Sequence, residues 1–211
     1  MKTLMKLAAG LCIALSLGAC AAPQSASRAA MPDDTMLGIL VPDYRIDSFT
    51  VSVPRSLEVN ERNTYYPRGD IVWRGDPLGD RHAQVKAMFD AAFLQAAPMV
   101  QGSKPVRVDV QVTRFHALSE KARYTVGGVH DISFLIRVID AETGQQLSRT
   151  KEVHADLEGL AGQAAIAADG RGRTQKVRLI AHLTQVLKNE LTLPGGHKNA
   201  RLGLLQSIND L

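Results

Sequence analysis

Cysteine is nearly absent from this chain of 211 residues: Cys12 and Cys20 are its two thiols, both within the first twenty positions. Everything after them therefore lacks a thiol for disulfides, metal ligation or redox chemistry. Aromatic residues are scarce, and tryptophan occurs once, at Trp73. No apolar run reaches the roughly 20 residues needed to cross a bilayer, since Leu7–Leu17 stops well short. The histidines, His82, His116, His130, His154, His182 and His197, show no His-x3-His or His-x-x-Glu-His spacing, which argues against a zinc site. A Gly-x-Ser-x-Gly elbow, a phosphate loop, internal repeats and heptads are missing too. The formal charge of +4 is too small an excess to suggest nucleic acid as a partner. These absences leave an expectation of no cofactor, no metal and no catalytic residue.

The first residues carry the strongest positive signal. Lys2 and Lys6 precede the apolar run, the layout of an export signal. Leu17-Gly18-Ala19-Cys20 follows at once and resembles the lipobox of bacterial lipoproteins. There a peptidase cuts before the cysteine, and the thiolate takes a diacylglyceryl group. That resemblance implies a signal peptide over 1–19 and lipidation, including palmitate-type acyl chains, at Cys20. Ordinary secretion, with Cys20 a passenger, is the alternative. Because each buried methylene adds about 0.8 kcal/mol, two or three acyl chains hold a protein at a membrane. Ala21, where Asp would mark inner-membrane retention, points by the same resemblance to the outer membrane facing the periplasm. Cleavage removes Lys2 and Lys6 and lowers the formal charge from +4 to +2.

Residues 20–36 read as the lipidated cysteine and a small, polar tether with two prolines. A single globular domain is expected over 37–193, and a tail over 194–211. Phe49, Val51 and Val53 share one strand face, and Pro54 ends that strand. Residues 55–79 carry few periodic signals, although Leu57–Val59 and Ile71–Trp73 suit short strands. Val85, Met88, Phe89, Ala92, Phe93 and Ala96 fall at helical spacing, with Asp80 as cap and Pro98 beyond the end. Residues 106–112 alternate valine with polar residues, the pattern of a sheet with one wet face. A turn over 120–128 leads to a strand over 131–139. Asp140–Gly144 turns the chain, with a returning strand over 146–157. Residues 159–172, rich in Gly and Ala, read as a spacer before a helix over 174–191. Its stripe is Val177, Ile180, Thr184, Leu187 and Leu191, widened by Leu179, Leu183 and Val186. The expected fold is α/β (α+β): a two-layer sandwich of a mainly antiparallel, about four-stranded sheet with two long helices on one face.

Taken together, the lipobox, Val72-Trp-Arg-Gly-Asp-Pro-Leu-Gly-Asp-Arg81 with Gln84-Val85, and Asp140-Ala-Glu-Thr-Gly144 resemble a small family of uncharacterised bacterial lipoproteins. That family brings no established activity. The element order is also similar to envelope accessory lipoproteins such as the auxiliary lipoproteins of ABC-type lipid transporters, a likeness of topology that transfers no residue roles.

Two clusters are candidates for recognition. Trp73 with Arg74 and Arg81 reads either as an apolar anchor flanked by carboxylate or anion partners, or as a core residue beside a turn at 76–79. Arg171, Arg173, Lys176 and Arg178 gather where the last helix begins. They read either as solvated charge or as a face for phosphate-rich lipid or an acidic partner. Glu152, Asp156 and Glu158 share strand parity, as the wet face of a strand does. An anchor and a competent fold without a catalytic constellation favour a non-enzymatic envelope protein that binds another envelope component. The alternative is a carrier or sensor of a small apolar ligand or lipid held between sheet and helices; a hydrolase comes third.

Overall fold

A computed structural model describes residues 42–203. The expected signal peptide over 1–19, the expected lipidated cysteine and tether over 20–36, and the last part of the expected tail lie outside those residues. The elements in chain order are β1 (Tyr44–Ser52), β2 (Ile71–Val72), α1 (Arg81–Ala96), β3 (Lys104–His116), α2 (Glu120–Arg123), β4 (Gly128–Asp140), β5 (Lys151–His154), β6 (Leu157–Gly159), α3 (Gly162–Gly170) and α4 (Gln175–Thr192). The strands form one six-stranded sheet in the order β1-β3-β4-β5, with β2 also on β3 and β6 also on β4.

The sheet is mixed, which corrects the expected four-stranded, mainly antiparallel one. β1 and β2 run parallel to β3, while β4 is antiparallel to β3, β5 and β6. The reason is topological: α1 carries the chain back to the side from which β1 started, and such a crossover returns a parallel strand. Tyr44 therefore enters beside Lys104, at the opposite end of β3 from His116.

Two bulges set which side chains face inward. Asp47 is an extra residue in β1, so the core parity passes from Ile46 to Phe49 and Val51. Thr113 does the same in β3, moving the inward face from Val106, Val108, Val110 and Val112 to Phe115. Against this face lie the two long helices, as expected. Asp80 caps α1 by accepting from the Ala83 N–H at 3.1 Å, and Thr174 caps α4 by accepting from the Val177 N–H. Val85, Met88, Phe89, Ala92, Phe93 and Ala96 are all fully buried. Phe49 stacks on Phe93 with centroids 4.7 Å apart, and Phe89 meets Phe134 edge-on at 5.4 Å.

Three local expectations change. Residues 162–170, within the expected spacer, form α3, which seats Ala165 and Ala168. The returning strand over 146–157 is divided into β5 and β6, and the turn over 120–128 contains α2. On α4 the buried stripe runs through Leu179, Leu183, Val186, Leu187 and Leu191, whereas Val177 is 50% exposed. The tail is held as far as the structure describes it: Asp156 and Asn199 exchange two hydrogen bonds of 2.9 Å. Among the described residues no helix is long and apolar enough to cross a membrane.

Candidate functional site

β1 lies at one end of the strand order, paired with β3. Among the described residues its other side meets one isolated bridge, Arg45 with Gln101. Ser48, Phe49, Thr50, Val51 and Ser52 form an uncharged, strand-favouring stretch of this edge, and Ser48, Thr50 and Ser52 are exposed. The sheet face turned away from the helices continues from it. A shallow cleft of about 250 Å³ crosses that face between Thr50 and Ser52 on β1, Asp109 and Gln111 on β3, and Leu135 and Arg137 on β4. Asp109 accepts from both Arg107 and Arg137, so the charges in the cleft are paired with each other. The opposite edge is much shorter: β5 has four residues, and Lys151 at its start is bonded to Glu190 of α4 at 2.7 Å.

A second surface closes the sheet at the far end of β3. The segment after Asn60 is strapped there by the bond from the Ser119 hydroxyl to the Thr64 carbonyl (2.5 Å) and from the Lys121 N–H to the Asn63 side chain (2.8 Å). His116 lies beneath it, 2.6 Å from the Pro67 carbonyl, and burial pushes its pKa down. Tyr65 and Tyr66 edge a cleft of about 230 Å³ floored by Ala117, Leu118 and Gly127–Val129. Gly127, at φ +79°, occupies a conformation that L side chains rarely adopt.

The first sequence-derived cluster falls inside this framework. Trp73 is 1% exposed, edge-on to Phe115, and its indole N–H donates to Asp76 at 2.9 Å. It is thus a core residue, and the reading of Trp73 as a surface anchor is corrected. Arg81, 4% exposed, forks onto both oxygens of Glu61 at 2.6 and 3.0 Å and also donates to Gln84 and to the Asp76 and Pro77 carbonyls. That fork holds the Glu61 carboxyl below its usual range despite burial. Arg74 donates to Glu120 at 2.9 Å and to the Glu61 carbonyl. The two arginines therefore spend their donors on the chain itself, because the sequence supplies carboxylates from segments 20 and 46 residues away.

The structure divides the second cluster. Lys176 reaches back 100 residues to both oxygens of Asp76 (2.7 and 2.9 Å), joining the two clusters through one carboxylate. Burial raises the Asp76 pKa, but the bonds from Lys176 and Trp73 outweigh it and leave the group below its usual value. Arg178 donates to the Glu158 carbonyl, and burial together with Arg173 and Arg123 lowers its pKa. Arg171 and Arg173 are exposed. Glu152 and Glu158 are exposed, as a wet strand face requires, whereas Asp156 is buried against Asn199. Sequence reasoning missed Tyr65, Tyr66, Tyr124 and Val126, which have no periodicity to mark them. The adjacent pair Tyr65-Tyr66 in a polar stretch was the available signal.

Polar groups also meet on the open sheet face. The Ser133 hydroxyl lies 2.9 Å from His154 Nδ1 across β4 and β5. Asp131, two residues before Ser133, is taken by Arg114. No group of three His, Cys, Asp or Glu that could hold a metal is present among the described residues.

A family model described as a family of unknown function, DUF6778, matches residues 44–207, from the first residue of β1 to beyond α4. The chain belongs to DUF6778. No curated protein matches it. Among solved structures, this DUF6778 chain is similar to a protein of Xanthomonas campestris from the family DUF330, with 12% identity and a TM-score of 0.42 over 72% of this chain and 85% of that one. It is also similar to a candidate lipoprotein of Caulobacter crescentus, with 15% identity and a TM-score of 0.31 over 68% and 86%. A third likeness, to an uncharacterized protein, has 16% identity and a TM-score of 0.31 over 70% and 86%.

Proposed function

We propose that this DUF6778 chain is a non-enzymatic lipoprotein of the cell envelope, tethered by acyl chains on Cys20 to the outer membrane on its periplasmic side, whose domain binds another envelope protein. The observation that carries the binding step is the β1 edge. Past the Arg45–Gln101 bridge, the Ser48–Ser52 stretch of the strand offers backbone donors and acceptors on one side, and it lacks the lysines that usually blunt such edges. An extended segment of a partner adds there as a further strand, with main-chain bonds supplying affinity and the shallow cleft beside Thr50 and Ser52 receiving alternate side chains. The similarity of element order to the auxiliary lipoproteins of ABC-type lipid transporters fits an accessory role of this kind.

The interior supports this reading over a carrier of apolar ligands. The space between sheet and helices is filled by Trp73, Phe89, Phe93, Phe115 and Phe134, each at most 1% exposed, so a ligand there would have to displace packed aromatic rings. As for a hydrolase, the Ser133–His154 pair comes from directly opposed residues of β4 and β5, with the carboxylate nearby in sequence already bonded to Arg114.

Two measurements test the reading. Labelled palmitate should enter the wild-type chain and be lost with Cys20→Ala; equal labelling of both would remove the anchor. A photo-crosslinking residue at Ser48, Thr50 or Ser52 should give one discrete adduct in cells, while the same residue at Leu94, exposed on α1, should not. A monomer without adducts from any β1 position would refute docking at the edge.

A further inference from the structure

Beyond the β1 edge, the far end of β3 carries an unusual combination. Three of the chain's four tyrosines are exposed there: Tyr65 at 52%, Tyr66 at 42% and Tyr124 at 43%. Val126, two residues after Tyr124, is 70% exposed. Two clefts flank the glycines that follow Val126, one edged by Tyr65 and Tyr66 and the other, of about 380 Å³, by Val126, Glu158 and Arg201. Several exposed apolar and aromatic side chains gathered at one end of the sheet, unlike an isolated one such as Leu94 on α1, mark a contact surface.

The charges around them are arranged asymmetrically. The carboxylates of Glu61, Glu120 and Asp169 are neutralised from within the fold, by Arg81, Arg74 and Arg123 respectively. Asp169 also accepts from the Tyr124 hydroxyl at 3.2 Å, and Arg171 and Arg173 follow it two and four residues further along the chain. Both are exposed, and Arg173 is near enough to Arg178 to lower its proton affinity. Lys121 sits over the Tyr65 ring at 4.6 Å. Glu158 is an exposed acid at the second cleft, shared there with the exposed Arg201, while Lys121, Arg171 and Arg173 are exposed as well.

We propose that this tyrosine-lined end is a contact surface for an anionic bilayer, with Val126 entering the acyl boundary, the tyrosines at headgroup level, and Lys121, Arg171 and Arg173 on lipid phosphates. Tyrosine suits that depth because its ring is apolar and its hydroxyl is wet. Cations next to an acidic leaflet each strengthen partitioning about fivefold. An acidic protein surface would also satisfy the cations, but it would not require Val126 to stand so far out.

The test uses the full chain reconstituted in vesicles, so that the lipid anchor is common to every sample. Val126→Trp provides a probe at an exposed position, and Trp73, being buried, is a constant background. In phosphatidylcholine vesicles holding about 30% brominated phosphatidylglycerol, emission from the Val126→Trp chain should fall about twofold near 0.05 M salt and recover near 0.5 M. Leu94→Trp, on the exposed side of α1, should not respond. Arg171→Gln with Arg173→Gln should weaken the bilayer contact roughly twentyfold and abolish the quenching. Quenching no greater than that of Leu94→Trp, or equally strong in neutral brominated vesicles, would overturn the proposal. Neither result would bear on crosslinking at β1.

Discussion

Lowering the pH from 7 to 5 should destabilise this protein chiefly through its histidines, and His130 allows the effect to be isolated. The ring is 1% exposed, and its Nδ1 accepts the Leu118 N–H at 3.2 Å. A proton on Nδ1 would face that donor head-on. Burial first, and then the cations of Arg178 and Arg123, lower the pKa from 6.5 to about 3. The unfolded chain therefore takes up a proton near pH 6.5 that the folded chain refuses until about pH 3. Stability is intact above pH 6.5, falls through that window and changes no further from this cause below it. At pH 5 the difference amounts to about 2 kcal/mol. His130→Gln keeps an oxygen acceptor within reach of Leu118 but cannot titrate. Urea titrations followed through the buried Trp73 should show the wild type losing about 2 kcal/mol more than His130→Gln between pH 7 and 5. His116, His182 and His197, whose pKa values are also lowered by burial, act in both proteins alike. Parallel losses in the two would refute the neutral, Nδ1-accepting ring.

Trp73→Ala should cost about 3 to 5 kcal/mol by leaving a cavity against Phe115 and removing a donor from Asp76, read as a lower urea midpoint. Arg81→Met strands the partly exposed Glu61 carboxylate without its fork and should cost about 2 kcal/mol, with the loss shrinking as acid neutralises Glu61. Gly102→Ala would press a methyl group onto the Asp43 and Tyr44 backbone where β1 begins. A loss of about 1 to 3 kcal/mol is expected from thermal unfolding, whereas Gly144→Ala, with open space around its Cβ position, should show strain from its φ of +72° alone.

The parts of the fold legible in the sequence were those where one period and one environment coincide. α1 has apolar residues on one face and a capping aspartate at its start, and the valines of β3 alternate against a single wet face. α3 was illegible because its buried residues are two alanines in a glycine-bounded stretch, which leave no apolar stripe to read. α4 posed the opposite problem: its apolar face is so wide that periodicity cannot say which margin is covered, and Val177 proved to lie on the open one. Strand direction was readable in principle, since a helix between two neighbouring strands implies parallel pairing. Of the candidate residues, Trp73, Arg74 and Arg81 carried information about folding rather than binding, because their carboxylate partners come from distant segments that no local pattern reveals. The exposed tyrosines follow no period at all, and the β1 edge emerges only once every other strand has a place.

The crossover through α1 has a consequence for reach. It makes the chain enter beside Lys104, whereas Tyr66 packs on His116 at the other end of the same 13-residue strand, about 40 Å away at some 3.3 Å per residue. The stretch from Cys20 to Tyr44 has a maximum span of about 80 Å, roughly twice that distance. Under the proposed anchoring at Cys20, a leash cut to half that length would have little slack for turning the aromatic pole back to the anchoring leaflet, yet it would leave the lateral strand edge free to zip onto a neighbour.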